Sequence, residues 1–218
     1  MYRSNSGNIF AMLFGAVALV GALSLTVSQL IVGPLRTTTK VTQKNLVDSH
    51  LLINSKLVVM NAVTLPDNGD ADADSVIEPV EYVPDGTGGC TISLTGGGCL
   101  PSTLGATMTD PYGNTYGYCV WDHGTVDNGH ADGAAAAPYR LNGNTNTSSP
   151  VIALISPGQD KVFQTECRAF DGAGTDGVVT PTGTDDFVFT YTYTYAEAAA
   201  GAGGLWSISE SDNNTAEI

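Results

Sequence analysis

The sequence predicts an α+β protein in which one long N-terminal helix, apolar enough to cross a membrane, packs on a small antiparallel β-sheet head. Three observations predict it. No charge interrupts the 24 residues from Ile9 to Val32. Beyond residue 102, runs rich in Val, Ile, Tyr and Phe alternate with Gly, Pro, Asn and Asp, the pattern of short strands between turns. The charge divides as well: residues 1–66 hold five Lys or Arg against one acid, a net of +4, and residues 67–218 hold three against 21, a net of −18. A field of that sign repels phosphate backbones, so the head binds no nucleic acid and suits an extracytoplasmic setting or the holding of cations.

Residues 1–7, "MYRSNSG", form a short polar, basic leader. Residues 8–33 follow as a helix that, at 1.5 Å per residue, is long enough for a hydrocarbon core of about 30 Å. Three fates are open to such a run. It is cut on its far side as a secretory signal, with "ALS" at Ala22 to Ser24 as a small-x-small site; it stays uncut as an anchor; or it is cut on its near side and retained. Flanking charge does not choose, because Arg3 precedes the run while Arg36, Lys40 and Lys44 follow it.

Residues 34–65 continue the helical pattern past Pro34, where a kink is expected because proline removes one backbone donor. Leu46, Ile53, Leu57 and Met60 fall on one stripe, with Val47, Leu51 and Val58 beside it. The stripe requires a partner.

Residues 66–102 form an acidic and Gly-rich loop region. Asp70, Asp72, Asp74, Glu78 and Glu81 have the spacing of an EF-hand loop, but Ser75 stands where that loop needs Gly, and the segment reads as a solvated linker. Cys90, Cys99, Cys119 and Cys167 are even in number and all lie in the acidic part, which points to two disulfides and an oxidising compartment. Of the three pairings, Cys90–Cys99 across "CTISLTGGGC" with Cys119–Cys167 stapling two strands is preferred. Zinc is disfavoured, since no CxxC pair is present.

Residues 103–218 hold the β head. "YGYCVW" (Tyr116–Trp121) and "SPVIALIS" (Ser149–Ser156) read as strands. From Phe187 to Tyr195 aromatic and small residues alternate, so that Phe187, Phe189, Tyr191, Tyr193 and Tyr195 share one face of a strand packed on a core, for which the long helix is the natural cover. "GNTNTSS" and "DGAGTDG" read as loops, and the tail "ESDNNTAEI" as a fraying end.

This order of elements, with three local motifs, resembles the type IV pilins and type II secretion pseudopilins. The motifs are the leader ending in Gly7 before an apolar helix; "DPYGNTYGY", Asp110 to Tyr118, similar to a D-P-x-G-x-x-Y element of major pseudopilins; and "SPGQD" with the later "DDFVF", similar to their C-terminal loop. The resemblance implies cleavage between Gly7 and Asn8 and retention of the helix as a filament core. Phe10, Met12, Phe14, Gly15, Gly21 and Pro34 would be assembly residues, the glycines permitting close helix approach. It implies calcium held by Asp160, Asp185 and Asp186, with Ser156 and nearby carbonyls completing an oxygen shell. It also implies self-assembly into a homo- or hetero-oligomeric filament, an inner-membrane stage before assembly, and pilus or secretion machinery as partner. The chain departs from the family at Met12, where a glutamate is customary, and at Asn8, where Phe or Met is.

No enzyme constellation is present. Cys119 and His123 stand four apart in "CVWDHG", but Cys119 is accounted for as half a disulfide, and the sequence contains neither G-x-S-x-G nor HExxH. The expected function is therefore a structural subunit of an extracytoplasmic filament. The alternative is a monomeric, single-pass anchored binding domain; a domain secreted after cleavage at Ser24 is a third reading.

Overall fold

A computed structural model describes residues 6–64, 69, 76–123, 139–144, 146–170 and 176–200, with residues 6–8, 27–36 and 200 described by their backbone alone. The leader before Ser6, Asp70 to Asp74 of the acidic cluster, most of "DGAGTDG", His130, and the tail beyond Ala200 lie outside the described residues. Two compact units are formed, residues 1–45 and 46–218.

Helix α1 runs from Ser6 to Ala62 and passes Pro34 without interruption of its helical assignment. The described residues of the first unit form a single helix. Ile9–Thr26 is long and apolar enough to cross a membrane or to be a signal sequence, and none of it is buried.

In the second unit the remainder of α1 is followed by a mixed sheet. The strands are β1 (Gly98–Cys99), β2 (Gly117–Asp122), β3 (Leu141–Asn142), β4 (Pro150–Ser156) and β7 (Phe187–Thr192), with β5 (Glu166–Arg168) and β6 (Gly177–Val179) as a separate antiparallel pair. The main sheet has the order β1-β2-β4-β7, all antiparallel, and β3 adds to β2 in parallel. A short helix α2, Tyr193–Ala200, closes the described chain. The strand expected to reach Tyr195 therefore ends at Thr192. Tyr193, Thr194 and Tyr195 turn into α2, where Tyr193 is buried and Tyr195 is exposed. "TYAEAAA" carries the alanines and glutamate of a helix, and their propensity overrides the alternation upstream.

The sheet is covered on both faces, and the side-chain alternation of each strand sorts residues between them. On one face Tyr118 and Val120 of β2, Ile152 and Leu154 of β4, and Phe187, Phe189 and Tyr191 of β7 pack with Val47, Leu51, Val58, Val59 and Ala62 of α1. On the other, Cys119 and Trp121, Ala153 and Ile155, and Val188 pack with Ile92, Leu94 and Cys167. Burial on both sides explains why "PVIALIS" is continuously apolar rather than alternating.

The helix does not bury the stripe the spacing singled out. Leu46, Ile53 and Met60 are about half exposed, whereas Val47, Leu51 and Val58 are in the core. The reason is Asn54, which sits on the buried face. Its amide donates to Thr107 O at 2.7 Å and its Oδ1 accepts from Thr107 N at 3.0 Å. A polar residue whose every strong group is paired costs little to bury, so a face containing it can win the core.

Candidate functional site

The apolar helix surface and the acidic end of the head are the two candidates. On the first, Phe10, Met12 and Phe14 are about 70% exposed, at 69%, 70% and 73%. A Cβ added at Gly15 or Gly21 would meet nothing within 4 Å, so both leave flat places where a second helix can approach. The helix begins at Ser6, which places the Gly7–Asn8 bond within its first turn.

The acidic end is built by carboxylates that hold loops. Asp110, 4% exposed, is its hub. Its carboxylate accepts from Tyr112 N at 2.9 Å, Asn114 N at 2.8 Å, Asn114 Nδ2 at 3.2 Å and Ser156 Oγ at 2.6 Å. An Asp that gathers the amides two and four residues on is the reason "DPYGN" turns as it does. Asn114 Nδ2 also donates to Gly158 O at 2.7 Å, tying this turn to the loop after β4.

That loop is closed from its other side. Asp185 Oδ2 accepts from Gln159 N at 2.7 Å and Asp160 N at 3.1 Å, and Asp186 Oδ2 accepts from Gln164 N at 3.0 Å and Thr165 N at 2.6 Å. Asp160 accepts from Val162 N at 2.9 Å and from Gln164 Nε2. Gly158, at φ 68°, lies so close to Asp185 that an added Cβ would stand 2.3 Å from its carbonyl oxygen, so only glycine fits. Burial, then the carboxylates of Asp110 and Asp185, hold the Tyr112 phenol above its usual range.

The expected calcium ligands are thus in one neighbourhood but not all aimed at one point. Ser156 gives its hydroxyl to Asp110, and Asp160, Asp185 and Asp186 each hold backbone amides. Among the described residues no group of three or more His, Cys, Asp or Glu is arranged to hold a metal ion. Two buried acceptors there, Asp186 Oδ1 and Gln164 Oε1, have no donor among the described residues. Asp110 escaped the sequence reading as a site residue, although Asp before Pro-x-Gly is a turn signal that could have marked it.

The disulfides are Cys90–Cys99 and Cys119–Cys167, as preferred from the sequence. The first closes the loop that precedes β1; the second ties the centre of β2 to β5 and lies against Trp121, whose indole N–H donates to Arg168 O at 2.8 Å. Asp122, the last residue of β2, and His123 after it are buried, and the His123 ring stacks on Tyr193 with centroids 4.3 Å apart. Stacking and burial at the end of β2 give His123 a packing role.

No family model, curated protein or solved structure matches this chain.

Proposed function

We propose that the protein is a structural subunit of an extracytoplasmic, type IV pilus-like or pseudopilus filament that assembles through its N-terminal apolar helix. The observation that carries this reading is apolar helix surface left without cover. Ile9–Thr26 is wholly unburied, and in the head unit Leu46, Ile53 and Met60 stay about half exposed although the sheet already has its own helix face. Lipid alone answers the first exposure; it does not answer the second, which lies on the unit holding the acidic head. Packing against neighbouring copies answers both. Two disulfides support an oxidising compartment for the head, which fits a cell-surface or extracellular filament inserted in the cytoplasmic membrane before assembly.

Shearing cells and taking the intact mass of the chain from the filament and membrane fractions tests the reading. A mass lacking residues 1–7, found in filaments, is the expected result. A full-length chain confined to membranes would instead favour the monomeric anchored domain, and a soluble chain beginning after Ser24 would favour secretion.

Calcium is proposed as an ancillary ligand of the loop holding Asp160, Asp185 and Asp186, supported by the two acceptors that lack donors. Oxygen-only donors of this kind suit calcium. At tenfold excess over its dissociation constant the ion should raise the head's stability by about 1.4 kcal/mol, and a melting temperature identical in calcium and in chelator would remove it from the account.

A further inference from the structure

A cavity of about 420 Å³ opens on the head between the Cys90–Cys99 loop and the loop after β4, a size ordinary for small-molecule sites. Its wall combines hydroxyls, an amide, an aromatic ring and one cation: Thr91, Ser93, Thr115, Asn114, Phe163 and Lys161. We propose that it binds a single saccharide unit bearing a carboxylate, a terminal uronic-acid residue of an otherwise neutral glycan, because the acidic field that repels polyanions leaves one carboxylate a local partner at Lys161.

The charge argument comes first. Residues 67–218 contain three cations among 21 acids. Arg140 reaches Glu81 at 3.7 Å and Arg168 reaches Glu166 at 2.8 Å. Lys161 makes no ion pair with any described residue, although so many carboxylates are available. It is also the one non-glycine residue with positive φ among those described, at 67°. A lysine side chain strains there where glycine would not, and backbone strain of this kind collects at ligand sites. The surrounding structure over-determines it: Asp160 accepts from Val162 N across Lys161, and Asp185 holds the amides of Gln159 and Asp160.

The remaining wall fits a sugar better than a peptide. The hydroxyls of Thr91, Ser93 and Thr115 have no partner among the described residues, and each can donate and accept, as a sugar hydroxyl requires. Asn114 is immobilised, both its amide hydrogens being given to Asp110 and Gly158, which leaves Oδ1 as a fixed acceptor. Phe163 supplies an apolar face for the C–H side of a pyranose ring. Two covalently or hydrogen-bond-stapled loops form the sides, so the site is largely organised before the ligand arrives.

The test titrates the full chain in detergent micelles with glucuronic acid, glucose and acetate. Glucuronic acid should bind about fivefold tighter than glucose, and tighter than acetate. Lys161→Gln should bring glucuronic acid to the level of glucose, Lys161→Arg should retain the difference, and Thr91→Val should weaken both sugars with their ratio unchanged. Equal binding of glucuronic acid and acetate, or of glucuronic acid and glucose, would overturn the proposal, as would a Lys161→Gln variant that binds like the parent. Because the titration uses unassembled chains, its outcome is independent of whether filaments form.

Discussion

The apolar residues of α1 before Asn45 and those of the sheet head have similar composition and opposite fates. In the head, Trp121, Leu154 and Ile155 are fully buried, both faces of the sheet are covered, and two disulfides fix the cover. In the helix, Leu13, Val17 and Leu19 remain more than half exposed. The head finishes its own hydrophobic core, whereas the helix carries apolar surface that only a membrane or other chains can remove from water. Stability therefore belongs to the head, and under the proposed function assembly belongs to the helix.

The strongest way to break that comparison is to charge the helix. Val17→Arg should abolish filaments from the shear fraction, since a central charge costs about 2.5–3.5 kcal/mol on insertion, while shifting head stability by no more than about 0.5 kcal/mol. Filaments at parental yield would mean the helix is not the assembly element.

Removing the disulfides reverses the pattern. Loss of Cys119–Cys167, 48 residues apart, should destabilise the head by about 4 kcal/mol, and loss of Cys90–Cys99, nine apart, by about 2.5 kcal/mol, from the entropy each closed loop removes from the unfolded chain. Chemical denaturation of the Cys→Ala pairs gives both values. The reverse order would place the mechanical centre of the head in the Gly-rich loop instead of at β2.

Adjacent residues of α1 sharpen the division further. Asn54→Leu removes the two hydrogen bonds that tie the buried face of α1 to the Thr107 backbone and should cost about 2 kcal/mol in denaturation. Ile53→Ala, 54% exposed, should cost under about 0.5 kcal/mol yet lower filament yield. An Ile53 variant that destabilised the head as much as the Asn54 variant would erase the distinction between the two helix faces.

A further effect appears only at alkaline pH. Burial raises the Tyr118 phenol, whose hydroxyl donates to Val80 O at 2.7 Å, above the ordinary tyrosine value of 10.0. The fold thus favours the protonated form, so this contribution is intact below about pH 10 and falls as pH rises past it, by about 1.4 kcal/mol per pH unit. Phenolate absorbance should show Tyr118 ionising only as the head unfolds; titration in the folded head near pH 10 would contradict its burial.

Much of this was legible in the chain. The run from Ile9 and the strand segments around Trp121 and Ile152 follow from hydrophobic period and turn residues, and of the three possible disulfide pairings the short Cys90–Cys99 spacing made the observed one the preferred choice. What escaped were choices between equivalents. The helix is apolar on two sides near residues 46–60, and no periodicity tells which side is buried when the winning side contains Asn54 and Ser55. The ending of β7 at Thr192 was hidden because its tyrosines alternate into the first turn of α2. The carboxylates at Asp110, Asp185 and Asp186 could be read as acidic, but not as clamps on particular amides.

By itself, then, the sequence determined the apolar helix, the acidic β-rich head and the oxidised cysteines, because each depends on local pattern or on simple counting. Only the tertiary structure decided which helix face enters the core, which carboxylate holds which loop, and that Lys161 lines a cavity without an ion pair to any described residue. Those depend on partners distant in the chain: Thr107 for Asn54, Ser156 for Asp110, and Asp185 for the backbone that fixes Lys161 in its left-handed conformation.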